Sequence, residues 1–306
     1  MPESFPPPSA PGGGIWAQLT LWGARLAWLA AAVVGGRAIG DAVAERSDPV
    51  QLVATIGAWA AWAVGALALA VPGLVTLTVV RAVVPGAVVA AGIALVAGAS
   101  GGSVLALAVP AIVAAVLVGA ADTGRVYVQA SAYGDEERFP LRPPLGYLAA
   151  TVLSWSVWVA AVIAAPLAWA ARSWIVAVVA TVIAAVATWL LPRRWHQLSR
   201  RFLVAVPAGL VVHDPLVLAD TLMLRRRQIV ELGLADPRRP SGALDLTGPT
   251  PGLAVTITLD ETATVVLAPR PATPRGRAIH LRALLVAPSR PGAVLRAAAG
   301  RRLPVR

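Results

Sequence analysis

Long apolar runs fill the first two thirds of the chain. A helix needs roughly 20 apolar residues to cross a hydrocarbon layer about 30 Å thick. Six runs approach or exceed that length, at residues 15–36, 51–71, 83–99, 104–121, 145–170 and 173–191. So many long, nearly uncharged runs cannot all be interiors of one soluble protein of this size. The pattern therefore predicts six transmembrane helices.

Two of the six runs leave questions open. Arg25 lies inside the first run, and we expect its long side chain to reach the headgroup region, although it could instead pair with a polar group. The third run is short, and Pro85 falls in its first turn, where proline is tolerated. The preceding segment 73–84, which contains Arg81, is either an interfacial helix or an extension of the third span.

The chain changes character after about Pro192. Short β-rich runs follow at 202–206, 209–213, 219–224 and 228–234, and residues 253–259 alternate strictly between apolar and polar. Such alternation is typical of a half-buried strand. We expect Asp260 and Glu261 to form a tight turn into a strand at 262–268, followed by a strand at 278–287. Residues 291–302 read as a short helix with Pro291 near its start.

The predicted fold is therefore a membrane bundle of about six helices followed by a small β-rich domain. That domain has six or seven antiparallel strands and one terminal helix. The expected boundaries are a disordered segment at 1–14, a transmembrane domain at 15–192 and a cytosolic domain at 193–306. We interpret the long connection 122–144 as a solvated cytosolic loop; the alternative is a hairpin that packs against the tail or the headgroups.

Composition supports a membrane protein with a basic tail. The chain is 58% hydrophobic and 13% charged, whereas soluble proteins are roughly 25% charged. Residues 1–192 contain eight arginines and eight acidic residues, so the net charge of +11 arises from residues 193–306. Arginine is enriched in alternate connections, which predicts cytoplasmic N- and C-termini in a bacterial inner membrane. The chain has no cysteine, which excludes disulfides and thiolate chemistry.

The arginines of the tail are the candidate binding residues. Each positive charge close to an anionic leaflet contributes about 1 kcal/mol. The set comprises Arg193, Arg194, Arg200, Arg201, Arg225, Arg226 and Arg227. The other interpretation is that these charges only set topology and solubility. Nucleic acid is not an expected partner, because the tail has almost no aromatic residues for base stacking.

Catalytic chemistry has little support in the sequence. None of the three histidines has a second histidine or a carboxylate at helical metal-ligand spacing. Asp214, between His213 and Pro215, is typical of a turn. No acidic residue lies well inside a predicted span, which weighs against a proton-coupled transporter. We predict no catalytic, cofactor-binding or metal-binding residues.

Three segments resemble known proteins. The run from Arg201 to Pro215, the loop from Tyr133 to Arg142 and the segment from Ser289 to Leu295 are similar to uncharacterised actinobacterial multi-pass membrane proteins. That resemblance covers nearly the whole chain and implies no particular activity. Short strands followed by one helix also resemble bacterial pleckstrin-homology-like domains, a likeness of architecture that implies no ligand.

The sequence therefore favours a non-enzymatic inner-membrane anchor. Its cytosolic domain would contact anionic lipid headgroups or a protein partner. The alternative is a transporter or channel component. An enzyme would need polar residues gathered at the membrane face, such as Tyr133, Asp135, Glu136 and Arg138 near His196.

Overall fold

The computed structural model describes residues 14–235, 243–248, 250–269 and 276–306. The segment expected to be disordered lies outside the described residues, except for Gly14. The central parts of the connections at 236–252 and 269–276 also lie outside them. The chain forms two compact units. A helical unit comprises residues 15–127 and 149–196, and a C-terminal unit combines residues 128–148 with 197–306.

Eight helices precede the last β-rich segment. They are α1 (Gly14–Val43), α2 (Asp48–Ala70), α3 (Leu74–Val83), α4 (Gly86–Val96), α5 (Gly101–Gly119), α6 (Ala121–Gln129), α7 (Leu145–Ala170) and α8 (Trp174–Ser199). Among the described residues, six helical segments are long and apolar enough to cross a membrane, with α3 and α4 counted together as Leu74–Val96. The prediction of six spans is confirmed at this level.

The third span is a pair of short helices around Pro85. Proline lacks a backbone N–H and interrupts the hydrogen-bond ladder. Val84 and Pro85 nevertheless keep right-handed helical dihedrals, with φ of −59° and −64°. The helical backbone therefore continues from α3 into α4 through Pro85. Of the two interpretations of residues 73–84, this geometry supports the extension of the third span.

The helical unit has small residues inside and large apolar residues outside. Ala31, Ala91 and Leu107 share one buried cluster, and a Cβ added to Gly35 would lie 2.7 Å from the Cα of Leu107. By contrast, Ile175 on α8 is 83% exposed. Small residues let membrane helices approach closely, and a lipid-facing surface is apolar. The packing is that of a multi-pass membrane protein.

The C-terminal unit contains two four-stranded sheets. Its strands are β1 (Glu137–Pro140), β2 (Phe202–Val206), β3 (Gly209–His213), β4 (Leu222–Arg225), β5 (Ile229–Leu234), β6 (Leu244–Asp245), β7 (Val255–Leu267) and β8 (Arg277–Val286). One sheet has the order β1-β2-β3-β4, and the other has the order β5-β7-β8-β6. The first sheet is antiparallel throughout, whereas β6 pairs with β8 in parallel.

One hydrophobic core joins the two sheets and the last helix, α9 (Pro291–Gly300). Leu203 and Leu210 from the first sheet, Ile257 and Leu284 from the second, and Val294 from α9 are all fully buried in it. The predicted β-rich domain with a terminal helix is confirmed. The described part of residues 193–306 contributes seven strands, within the expected six or seven, and the eighth, β1, comes from the connection. The pairing of β6 with β8 is parallel, whereas only antiparallel strands were expected.

The connection between α5 and α7 is not a solvated loop, so that interpretation is wrong. It forms α6 and then β1, which pairs with β2 through Phe139 opposite Leu203. Phe139 is only 1% exposed, and its burial supplies a reason for this segment to order. The pairing also requires this connection and the tail to lie on the same side of a membrane. The candidate spans α7 and α8 lie between the connection and the tail. Two crossings return the chain to the side from which it started, so the requirement is met.

Asp260 and Glu261 do not form a turn, so that prediction is also wrong. They lie within the continuous strand β7, whose register against β8 shifts between Thr258 and Ala263. The shift is a β-bulge, which takes up extra residues without ending the strand. The two exposed carboxylates are therefore displayed along the edge of the bulge. Strands 253–259 and 262–268 of the prediction are two halves of β7.

Candidate functional site

Four of the predicted basic residues are exposed on the C-terminal unit. They are Arg200, Arg225, Arg226 and Arg227. Among the described residues, no hydrogen bond or ion pair engages their guanidinium groups. Their charges are therefore available for contacts with an external anion.

These four arginines do not form a single patch. Phe202 and His213 pair at one end of the β2–β3 hairpin, next to Arg200. At the other end, Gly209 pairs with Arg225. Four residue steps along a strand separate the two ends by about 13 Å. The arginine triplet also has acidic neighbours, since Arg227, Gln228, Asp260 and Glu261 line one shallow depression.

Arg201 is not a surface residue, and its prediction as a contact residue is wrong. Its side chain is 1% exposed and pairs with that of Asp214, also 1% exposed. Both carboxylate oxygens accept from the guanidinium, at 2.8 and 2.6 Å. Asp214 also accepts from the backbone N–H of Leu216 at 3.2 Å, in the expected turn. The sequence could not distinguish Arg201 from its exposed neighbours, because its partner Asp214 follows the end of a different strand, β3.

Arg193 and Arg194 lie near the end of α8, in the helical unit, and both are exposed. The guanidinium of Arg193 lies 5.1 Å from the ring centroid of Trp189, one turn earlier on the same helix. Indole rings favour the boundary between hydrocarbon and headgroups, and arginine extends from there to the polar side. This arrangement is suited to contact with lipid headgroups.

Arg25 pairs with polar groups, as its alternative interpretation predicted. Its Nε donates to the carbonyl oxygen of Leu69 at 3.0 Å, and its Nη2 lies 3.5 Å from that of Ala70. These carbonyls end α2, where backbone acceptors lack helical partners and carry partial negative charge. The hydroxyl of Tyr127 donates to the neighbouring carbonyl of Ala68 at 2.9 Å. Arg25 and Tyr127 thus cap α2.

A reciprocal pair of tryptophans joins α1 to α2. The indole N–H of Trp28 donates to the carbonyl of Trp62 at 3.0 Å, and that of Trp62 donates to the carbonyl of Trp28 at 3.1 Å. Gly65 makes room for this contact, since an added Cβ would lie 2.7 Å from the Trp28 ring. Trp28 therefore packs between the two helices.

A second polar cluster links α3, α7 and α8. Thr78 Oγ1 lies 3.0 Å from His196 Nδ1. The indole N–H of Trp155 donates to the carbonyl of Ala82 at 2.8 Å. Arg81 lies on α3 between Thr78 and Ala82 and is partly buried. In the sequence, Arg81 stands out only as the charge in segment 73–84, and His196 only as a neighbour of a possible enzyme site. No local pattern could show that α3 and α8 meet there.

His213 is half-buried on β3. Its Nδ1 lies 2.9 Å from Thr221 Oγ1, and its ring lies 4.8 Å from that of Phe202. Burial lowers the pKa of His213 below its usual 6.5; the charges of Arg200 and Arg138 lower it further, and Asp214 opposes them. This environment favours a neutral imidazole at neutral pH.

The acidic residues of the connection are engaged in ion pairs. Glu136 pairs with Arg138 at 2.6 Å, and Asp135 pairs with Arg301 at 3.1 Å. Across residues 14–235, 243–248, 250–269 and 276–306, no group of three or more His, Asp or Glu side chains could hold a metal ion. These contacts strengthen the C-terminal unit and place β1 and α9 in it.

Comparisons with known proteins gave no match to a family model, a curated protein or a solved structure. The resemblances to actinobacterial membrane proteins and to pleckstrin-homology-like domains therefore remain predictions. Function has to be inferred from the geometry of the two units.

Proposed function

We propose that the protein is a non-enzymatic membrane anchor. Six helices hold the β-rich C-terminal unit at the cytoplasmic face of a bacterial inner membrane, where arginines near the end of the last span bind anionic headgroups. The N- and C-termini are cytoplasmic in this proposal, because arginine is concentrated in the connections on the side of the tail.

The observation that carries the proposal is the state of Arg193, Arg194 and Arg200. All three are exposed, and among the described residues no carboxylate pairs with them. They are close in sequence to the end of α8, so each lies near the membrane surface. Cationic side chains at this depth are attracted to an anionic leaflet over about one Debye length.

The arginine triplet fits this role less well. It lies at the far end of the β2–β3 hairpin, and one of its members, Arg227, lines the same depression as Asp260 and Glu261. Nearby carboxylates weaken the attraction of a basic surface to anionic lipid. A protein partner that binds this end of the unit is the alternative role of the triplet.

The test uses the full chain in bilayers with spin-labelled lipids. The measured quantity is the association constant of phosphatidylglycerol relative to phosphatidylcholine. We expect wild type to prefer phosphatidylglycerol in low salt and to lose most of that preference in high salt. The variant Arg193→Gln/Arg194→Gln/Arg200→Gln should lose most of it at both salt concentrations.

The matched control is Arg225→Gln/Arg226→Gln/Arg227→Gln, which removes the same charge from the far end of the hairpin. We expect this control to retain the preference of the wild type. If only the control loses the preference, the lipid contact lies at the triplet. If neither variant changes it, lipid binding by these arginines is excluded.

A transporter or channel component is the other candidate function. It would need a polar path through the helical unit. In the helices α3, α4, α5, α7 and α8 the sequence has no acidic residue. No observation in the described residues favours this alternative.

A further inference from the structure

Arg81 is a charged side chain without a protein partner. It lies on α3 about two turns, or 10 Å, from the first residue, Leu74, inside the candidate span Leu74–Val96. The side chain is partly buried. Among the described residues, no hydrogen bond or ion pair engages its guanidinium. A charge among apolar helices is costly unless an opposite charge or an acceptor lies close by.

The surrounding helices contain no such opposite charge. The sequences of α3, α4, α7 and α8 contain no aspartate or glutamate. The helical unit contains four acidic residues. Asp122 lies in the first turn of α6, and among the described residues no ion pair joins it to Arg81. The other three, Asp41, Glu45 and Asp48, lie where α1 ends and α2 begins. Five candidate spans separate the end of α1 from the tail, so this end and the tail lie on opposite sides of the membrane. An anion bound from outside the protein would supply the missing counter-charge of Arg81.

Side chains of two other helices are held on the same flank of α3. Thr78, one turn before Arg81, lies 3.0 Å from His196 of α8 through Oγ1 and Nδ1. Trp155 of α7 donates its indole N–H to the carbonyl of Ala82, the residue after Arg81, at 2.8 Å. These contacts fix α7 and α8 beside the arginine.

We propose that this flank of α3 binds the phosphate group of one anionic phospholipid, with Arg81 as the principal partner. A guanidinium presents parallel N–H donors that match phosphate oxygens. Basic pockets between helices on the cytoplasmic side are suited to anionic headgroups. The site belongs to the helical unit and uses none of the three arginines assigned to headgroup contact above.

The source of the phosphate is a lipid and not a free anion. At the same ends of α7 and α8, the helical unit exposes large apolar side chains: Val152 is 52%, Trp189 is 68% and Leu190 is 52% exposed. Acyl chains pack against such a surface. An inorganic phosphate ion would gain nothing from it.

The experiment measures lipid binding to the detergent-solubilised full chain by native mass spectrometry. Phosphatidylglycerol, phosphatidylcholine and inorganic phosphate are added in separate titrations. We expect wild type to retain one phosphatidylglycerol at concentrations where phosphatidylcholine and inorganic phosphate are not retained. Arg81→Gln should weaken this binding about ten- to a hundredfold, as expected for the loss of charge-assisted hydrogen bonds.

Two further variants separate the site from general effects of charge or folding. Arg37→Gln removes an exposed arginine from α1 and should bind like wild type. Arg81→Lys keeps the charge without the forked donors, so it should fold and bind with intermediate affinity. The spin-label preference tested above should persist in Arg81→Gln, because Arg193, Arg194 and Arg200 remain.

Three results would overturn the proposal. Equal retention of phosphatidylglycerol by Arg81→Gln and wild type would remove Arg81 from the site. Equal weakening by Arg37→Gln would show a general effect of charge. Displacement of the lipid by inorganic phosphate at similar concentrations would identify a free anion as the ligand.

Discussion

Arg201 and Asp214 form a buried, two-pronged ion pair, with Nε to Oδ1 at 2.8 Å and Nη2 to Oδ2 at 2.6 Å. The remaining Nη1 of Arg201 donates to the carbonyl of Arg142 at 2.7 Å. Arg142 belongs to the connection that carries β1. The pair therefore ties β1, β2 and the end of β3 together at one point of the C-terminal unit.

Arg201→Met should destabilise this unit by about 3–5 kcal/mol, because it leaves a buried carboxylate without its counter-charge. Urea unfolding of the full chain in detergent, followed by pulse proteolysis of the tail, measures the change in free energy of unfolding. The matched control is the double variant Arg201→Met/Asp214→Leu, which removes both charges and should recover most of the loss. A loss under about 1 kcal/mol in the single variant would contradict the importance of the pair.

Phe139→Ala should destabilise the same unit by about 3–5 kcal/mol, although residue 139 lies between the fourth and fifth spans. The reason is that Phe139 is 1% exposed within the core of the C-terminal unit. The proteolysis assay described for Arg201 measures the effect on the tail. Tyr133→Ala, at an aromatic position 86% exposed in the same connection, should leave tail stability within about 0.5 kcal/mol of wild type. Similar results for both variants would argue against the packing of β1.

Arg25→Gln should weaken the helical unit by about 1–2 kcal/mol, because it removes a cation from the C-terminal end of α2. Tyr127→Phe should cost about 1 kcal/mol through the lost hydrogen bond to Ala68. Thermal unfolding in detergent, followed by tryptophan fluorescence, is the measurement. Arg37→Gln removes the same charge from an exposed position of the same helix and should have no effect. An Arg25 variant as stable as this control would show that Arg25 does not cap α2.

The stability of the C-terminal unit should depend on pH through His213. Its pKa is lowered in the folded state from the usual 6.5, so the unfolded chain binds the proton more readily. The stabilising contribution is present above pH 6.5 and is lost as the pH falls from 6.5 towards the folded pKa. His213→Gln should reduce the slope of unfolding free energy against pH in that interval. An unchanged slope in the variant would place the pH dependence on other groups.

Hydropathy was sufficient to predict the helical unit. A span needs a long apolar run whatever its neighbours are, so its signal is local. The two points left open, at Arg25 and at residues 73–84, depended on other segments. The partner of Arg25 is the end of α2, and the continuity of α3 with α4 depends on the backbone at Pro85.

The C-terminal unit was harder to predict, because its decisive contacts join residues distant in sequence. Phe139 pairs across two spans with Leu203, and nothing in a four-residue strand signals that partner. Asp260 and Glu261 have the composition of a turn, yet β8 pairs on both sides of them and makes the pair a bulge. Arg201 was indistinguishable from Arg200 until Asp214 was placed against it.

The most direct test of the proposed membrane topology is labelling of single cysteines, since the chain contains none. Tyr133→Cys and Arg227→Cys report on the connection that carries β1 and on the tail, and Ser173→Cys reports on the turn between α7 and α8. A membrane-impermeant maleimide is applied to intact cells and to inverted membrane vesicles. Tyr133→Cys and Arg227→Cys should be labelled only in inverted vesicles, and Ser173→Cys only in intact cells. Labelling of Tyr133→Cys and Ser173→Cys from the same side would contradict the six-span anchor.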